Sequence, residues 1–221
     1  MILYDHPASA NCLKVRILLA HLGLDYERVT VDLFAGETRR PEHLARNPDG
    51  RVPVLELHSG ELLPESAAIM LYLAEGTPYL PGDRLARARV YQWLFFEQNQ
   101  IEPGLAVARF MALVGRVKKH PEVFGDRLRQ GRRGLESMER GLVDDFIAGP
   151  EYTVADMALY GYVHCADEAG AELREYPRIS AWVERVEAQP GFVNDLAPIT
   201  WTDADSPGPS RTSIVRSSNG R

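Results

Sequence analysis

Residues 51–69 read Arg51-Val52-Pro53-Val54-Leu55-Glu56-Leu57-His58-Ser59-Gly60-Glu61-Leu62-Leu63-Pro64-Glu65-Ser66-Ala67-Ala68-Ile69. Val52 to Leu57 and Glu61 to Leu63 predict two strands joined by the His58-Ser59-Gly60 turn, and Ser66 opens a helix through about Glu75. A proline at the head of a good strand removes a ladder donor. A cis peptide is one way to make it useful, because it turns the backbone N–H and C=O of Val52 toward a bound peptide. At the next junction Ser66 offers a hydroxyl and backbone N–H groups to a carboxylate, while Glu65 beside it can hold an ammonium. Together they match the α-amino-acid end of a ligand. The plainer reading is a helix N-cap with an acidic neighbour.

Upstream, Ile2-Leu3-Tyr4 is a short apolar strand. Cys12 to Leu22 carries Leu13, Ile17, Leu18, Leu19 and Leu22 at helical spacing before Gly23, and Tyr26 to Val31 reads as a second strand. Strand–helix–strand implies a parallel pair. Pro41 starts a short helix through Ala45 that Asn47-Pro48-Asp49-Gly50 stops. The first 76 residues thus run βαβ, helix, ββ, helix. At the first strand–helix turn stands Ser9-Ala10-Asn11-Cys12, where a helix start favours an anion such as a thiolate. Taken alone, the turn is better read as plain capping, with Ser9 or Asn11 as the helix N-cap. Ahead of Pro41, Thr38-Arg39-Arg40 with Arg51 offers guanidiniums for a second carboxylate, with a solvated loop as the bland reading and the preferred one for Arg40.

After Gly76-Thr77-Pro78 the pattern becomes all-helical over 84–201, with helices expected at Leu85–Val114, Arg127–Phe146, Ala155 to about Asp167, and Ile179–Ala188. Thr153-Val154-Ala155-Asp156 has capping-box spacing, which assigns its Thr and Asp to structure. Trp93, Phe95, Phe96, Phe110 and Met111 are expected in the bundle core, with Arg109 and Phe110 beside a pocket for an apolar ligand. Residues 202–221, rich in Ser, Pro, Gly and Arg, predict a tail unable to order itself. A small α/β domain over 1–76 and a helical domain over 84–201 leave a cleft between them, where small-molecule sites tend to form.

The 221 residues carry 25 Lys plus Arg against 31 Asp plus Glu, a formal charge of −6. That balance argues against nucleic acid as a partner. No apolar run has the length of a membrane helix, and no signal-peptide pattern opens the chain. Two cysteines make no disulfide framework, so a reducing cytoplasm is expected. The six histidines show no metal-ligand spacing, and no metal or resident cofactor is expected.

Over residues 1 to about 200 the sequence resembles the cytosolic glutathione transferases. The resemblance rests on Ser9-Ala10-Asn11, the stretch from Ala35 to Pro48, Val52-Pro53 and its spacing to Glu65-Ser66, Trp93 to Gln98, and Thr153 to Asp156. It implies a thioredoxin-like α/β domain followed by an all-α domain, a homodimer, and detoxification chemistry with glutathione as co-substrate. It further implies that Val52 pairs its backbone with the cysteinyl part of glutathione through a cis Pro53, and that Glu65 and Ser66 hold the γ-glutamyl group. Arg39 and Arg51 would lie near the glycyl carboxylate, with Thr38 where some relatives carry histidine. Ser9 stands at the hydroxyl position of serine-type classes, and Asn11 where an amide serves in some bacterial relatives. Two departures bear on subclass. Asn11 replaces the cysteine usual in maleylacetoacetate isomerases. Ser9 and Ala10 leave no catalytic cysteine, which makes Cys12 a small buried residue. The expected reaction is attack of the glutathione thiolate on an apolar electrophile. The rivals are disulfide reduction on the same scaffold and a non-catalytic binding protein.

Overall fold

The computed structural model describes residues 1–201; the expectation for residues 202–221 lies outside them. Four strands, β1 (Ile2–Asp5), β2 (Glu27–Thr30), β3 (Val54–Glu56) and β4 (Leu62–Pro64), form one sheet in the order β2-β1-β3-β4. β1 and β2 are parallel, in register from Ile2 against Glu27 to Asp5 against Thr30. β3 and β4 are antiparallel to their neighbours, with Tyr4 opposite Val54 and Val54 opposite Pro64. The parallel pair follows from α1 (Ala10–His21), the crossover between its strands. α1 ends before Gly23, whose φ of +60° suits glycine. The short α2 (Pro41–Leu44) begins at Pro41, and α3 (Ser66–Ala74) follows β4.

The helical part comprises α4 (Arg84–Phe96), α5 (Val107–Leu113), α6 (Pro121–Gly141), α7 (Val154–Val163) and α8 (Pro177–Glu187). The single helix expected over Leu85–Val114 is interrupted. Glu97–Ala106, with Pro103 inside it, winds as π-helix, because proline at an interior position has no N–H to give the α ladder. The capping box forms as its spacing predicts: Thr153 Oγ1 accepts from the Ala155 N–H at 3.3 Å, and Asp156 Oδ2 accepts from the Thr153 N–H at 2.9 Å. Asp156 also accepts from the Ile147 N–H at 2.8 Å and Trp182 Nε1 at 2.9 Å, tying α7 to α8.

One apolar core runs from Leu3 and Leu55 of the sheet through Leu13, Ile17 and Met70 to Leu159 and Trp182. Phe95 corrects the expectation that placed it there: the residue is 73% exposed, while Trp93 and Phe96 pack against the core with their rings edge to face at 5.0 Å. Among the described residues no helix is long and apolar enough to cross a membrane.

Candidate functional site

The turn after β1 delivers the start of α1 to the boundary between sheet and helices. Ser9 is the N-cap, in extended conformation (φ −86°, ψ 118°), and its Oγ accepts from the Cys12 N–H at 3.4 Å. Asn11 is no cap but the second residue of the helix, with its side chain in a cleft. Cys12 is fully buried, burial pushes its thiol far above the ordinary value, and its Sγ accepts from the His6 N–H at 3.5 Å. A thiol in that state is a packing residue, as its sequence context predicts.

One cleft gathers Asn11, Asn47, Arg51, Val52, Pro53, Glu65, Ser66, Gln98 and Glu102. Val52-Pro53 is cis. Glu65 has φ +73°, the only positive value at a described residue other than glycine, and its side chain makes no cap bond. Such a conformation raises the backbone energy by about 1–3 kcal/mol and is maintained where it aims a group. It puts Glu65 at the cap position and Ser66 at the first helical residue, so the N-cap reading of Ser66 is corrected. Of the seven sequence-derived glutathione-site residues other than Ser9 and Asn11, Arg51, Val52, Pro53, Glu65 and Ser66 line the cleft, whereas Thr38 and Arg39 do not. Thr38 is buried and Arg39 donates from Nη1 to the Asp49 carbonyl at 3.0 Å, both within a short 3₁₀ turn. Arg40 pairs with Glu37 in solvent, as its bland reading has it.

Ser9 lines an adjoining, more apolar cavity with His6, Leu33, Phe34, Arg109 and Phe110 among others. The Phe34 and Phe110 rings are parallel within 6° with centroids 6.5 Å apart, and Trp201 stacks on Phe34 at 4.9 Å. Arg109 is buried and donates from Nε to Glu168 at 2.6 Å. Its charge is thus committed to α7's end of the bundle rather than offered freely to a ligand.

Beneath the cleft lies a polar network that sequence reasoning missed. Lys14 and Glu97, each 1% exposed, pair at 2.8 Å, and Lys14 Nζ also donates to Asn11 Oδ1 at 2.6 Å. Gln98 Nε2 donates to Glu97 at 2.8 Å and to Glu102 at 2.9 Å, and Asn11 Nδ2 donates to Glu102 at 3.1 Å. Burial, reinforced by Glu102 and opposed by Lys14, raises the Glu97 carboxyl above its ordinary value. The available signal was a lysine at position 14 inside an apolar helical run, next to Leu13 and Val15.

A family model of the glutathione S-transferase N-terminal domain matches residues 1–75, and one of the C-terminal domain matches residues 105–190. The chain belongs to the glutathione S-transferase family. It is 41% identical to the crystal structure of a glutathione S-transferase from Pseudomonas fluorescens, with a TM-score of 0.87 over 89% of this chain and 98% of that one. It is 37% identical to a maleylacetoacetate isomerase from Rhizobium meliloti over 81% of this chain and 88% of the relative. Against glutathione S-transferase 3 of Zea mays the identity is 32%, over 89% and 93% of the two chains. The glutathione S-transferase fold accounts for the mixed sheet followed by a helical bundle.

Proposed function

We propose that this family member binds glutathione in the cleft at the start of α1, lowers the pKa of its thiol, and transfers it to an apolar electrophile in the adjoining cavity. One observation carries the reading. Asn11, Arg51, Val52, Glu65 and Ser66, drawn from three separate stretches of sequence, line a single cleft. The tripeptide's cysteinyl backbone pairs with Val52, its γ-glutamyl ammonium with Glu65, its carboxylate with Ser66, and its glycyl carboxylate with Arg51. Thr38 and Arg39, implied by family resemblance for the glycyl end, act there only if a ligand draws them in. Asn11 donates an N–H to the sulfur, and the Ser9 hydroxyl and the positive end of α1 add to the stabilisation. The proton leaves to solvent. The thiolate then forms the sulfur–carbon bond while the leaving group departs with its electron pair. Phe34 and Phe110 flank the electrophile, with Arg109 behind them. No resident cofactor, metal, nucleic acid or membrane takes part, and the protein works as a cytoplasmic homodimer.

Conjugation of glutathione to a chlorinated dinitrobenzene is the test. Asn11→Ala is expected to lower kcat/KM by about 10- to 100-fold, the worth of one hydrogen bond to a charged group. Wild-type rates in both Asn11→Ala and Ser9→Ala would remove these roles. Disulfide reduction by the same thiolate is the second reading, favoured by Asn11 rather than Ser9 lining the glutathione cleft. A hydroxyethyl disulfide assay run beside the first ranks the two. Asn11 also stands against isomerase chemistry despite the Rhizobium meliloti relative.

A further inference from the structure

The Asn11 amide is fixed from both ends. Lys14 Nζ lies 2.6 Å from Oδ1, and Glu102 Oε1 lies 3.1 Å from Nδ2. An ammonium has only N–H groups to give and an ionised carboxylate only lone pairs, so the two neighbours admit a single orientation of the amide. One of the two Nδ2 protons goes to Glu102. The other has no acceptor among the described residues, on a side chain that lines the cleft.

A structural reason for Lys14 would be complete with less. Its Nζ pairs with Glu97 at 2.8 Å, lies 3.8 Å from Glu102, and sits 4.9 Å from the centre of the Tyr162 ring. The bundle makes room for its stem: a Cβ at Gly161 of α7 would come within 2.8 Å of Lys14 Cγ and 2.9 Å of Cε. Burying a lysine here, where a leucine would extend the core, is costly even when it is paired. The contact that a purely structural pair does not need is the shortest one, to Asn11 Oδ1.

We propose that Lys14 is a positioning residue: it holds the Asn11 amide with an N–H, never its carbonyl oxygen, turned toward the glutathione sulfur. The inference rests on the reading above, in which Asn11 donates to that sulfur. An amide free to flip would spend part of its time presenting a lone pair to the thiolate, which repels it. The charged groups around Asn11 are Arg51 and Glu65 in the cleft wall, Glu102 on the π-helical segment, and Lys14 with Glu97 behind.

The test uses the full chain. Lys14→Met combined with Glu97→Gln removes both buried charges together and so leaves neither unpaired. The inflection of kcat/KM against pH, and the thiolate absorbance of bound glutathione, are expected to move up by about one pH unit. Glutathione affinity by calorimetry should change by less than about threefold, since the orientation matters to the charged sulfur more than to the bound tripeptide. Lys14→Arg, which can also only donate, should restore the wild-type profile. An unmoved profile in the double variant, or an equal shift in Lys14→Arg, overturns the proposal. Asn11→Ala separates the layers. If it raises the inflection while the Lys14 variants do not, positioning falls and the thiol reading stands; if it leaves the profile unmoved, both fall. Should the double variant not fold, the wild-type protein decides. One Asn11 side-chain amide proton should shift on adding glutathione while its partner, on Glu102, holds; two unmoved signals overturn the proposal.

Discussion

Ser9 and Asn11, two residues apart, do different work because one precedes the helix and the other lies within it. Ser9 Oγ already accepts from the Cys12 N–H, so its first duty is to close the open end of α1. Ser9→Ala is expected to lower unfolding stability by about 1 kcal/mol, read as a shifted urea midpoint, and to lower activity less than Asn11→Ala does. An activity loss with no change in midpoint would contradict the cap. His164 yields a pH prediction. It ends α7, stacks on Tyr160 with centroids 4.3 Å apart, and its Nδ1 lies 2.6 Å from the Tyr160 carbonyl. Burial holds its imidazole below the ordinary value. A depressed folded pKa means that the stability is present above the unfolded value, about 6.5, and is lost as pH falls through the folded one. His21, also lowered by burial, acts in the same sense. The melting temperature of the wild type should therefore fall between about pH 7.5 and pH 5, and His164→Gln should flatten part of that fall; parallel curves would refute the assignment. At this scale the sequence named most cleft residues, because Val52-Pro53 and Glu65-Ser66 are local signals at element junctions. Lys14, Glu97 and Glu102 escaped, because their meaning lies in contacts across 83 and 91 positions of chain.

Elements were legible where punctuation was strong. Pro41, Gly23 and the Thr153–Asp156 box mark ends that the structure reproduces, and the βαβ order required the parallel pair. The π-helical stretch was not legible, since Leu85 to Val114 keeps an apolar rhythm that hides one changed set of hydrogen bonds. Its packing against α6 has a definite requirement. A Cβ on Gly104 would lie 2.4 Å from the Gly131 nitrogen and 2.6 Å from its Cα, main-chain atoms that no rotamer change can move. Gly104→Ala must therefore push the two helices apart, just where Glu102 reaches the cleft. The expected loss is about 2–4 kcal/mol in urea unfolding, with weaker glutathione binding as a consequence. Unchanged stability would show that the two segments are less tightly apposed than this.

Across the whole molecule the two parts share one core, and the site lies along their seam, with Asn11 and Ser66 facing Gln98 and Glu102. Every residue seen to line the cleft belongs to one chain, so pairing of two chains is argued from the outer surface. Phe95 is 73% exposed, Leu85 62% and Tyr72 56%, all on α3 and α4. A single exposed leucine needs no explanation, but a phenylalanine 73% exposed beside a buried Leu94 leaves a large ring in water. Sequence periodicity misjudged it because an apolar residue on an exposed helix face has the same signature as one meant for the core. The homodimer proposal thus places Phe95 at the contact. In sedimentation experiments the wild-type protein should run at twice the chain mass, and Phe95→Ser should shift it toward one chain mass by weakening association about 2–4 kcal/mol while leaving the fold intact. Because the residues lining the cleft come from a single chain, glutathione binding should survive in the dissociated variant. A wild-type monomer, or a Phe95→Ser dimer as tight as the wild type, would show that this face serves some other contact.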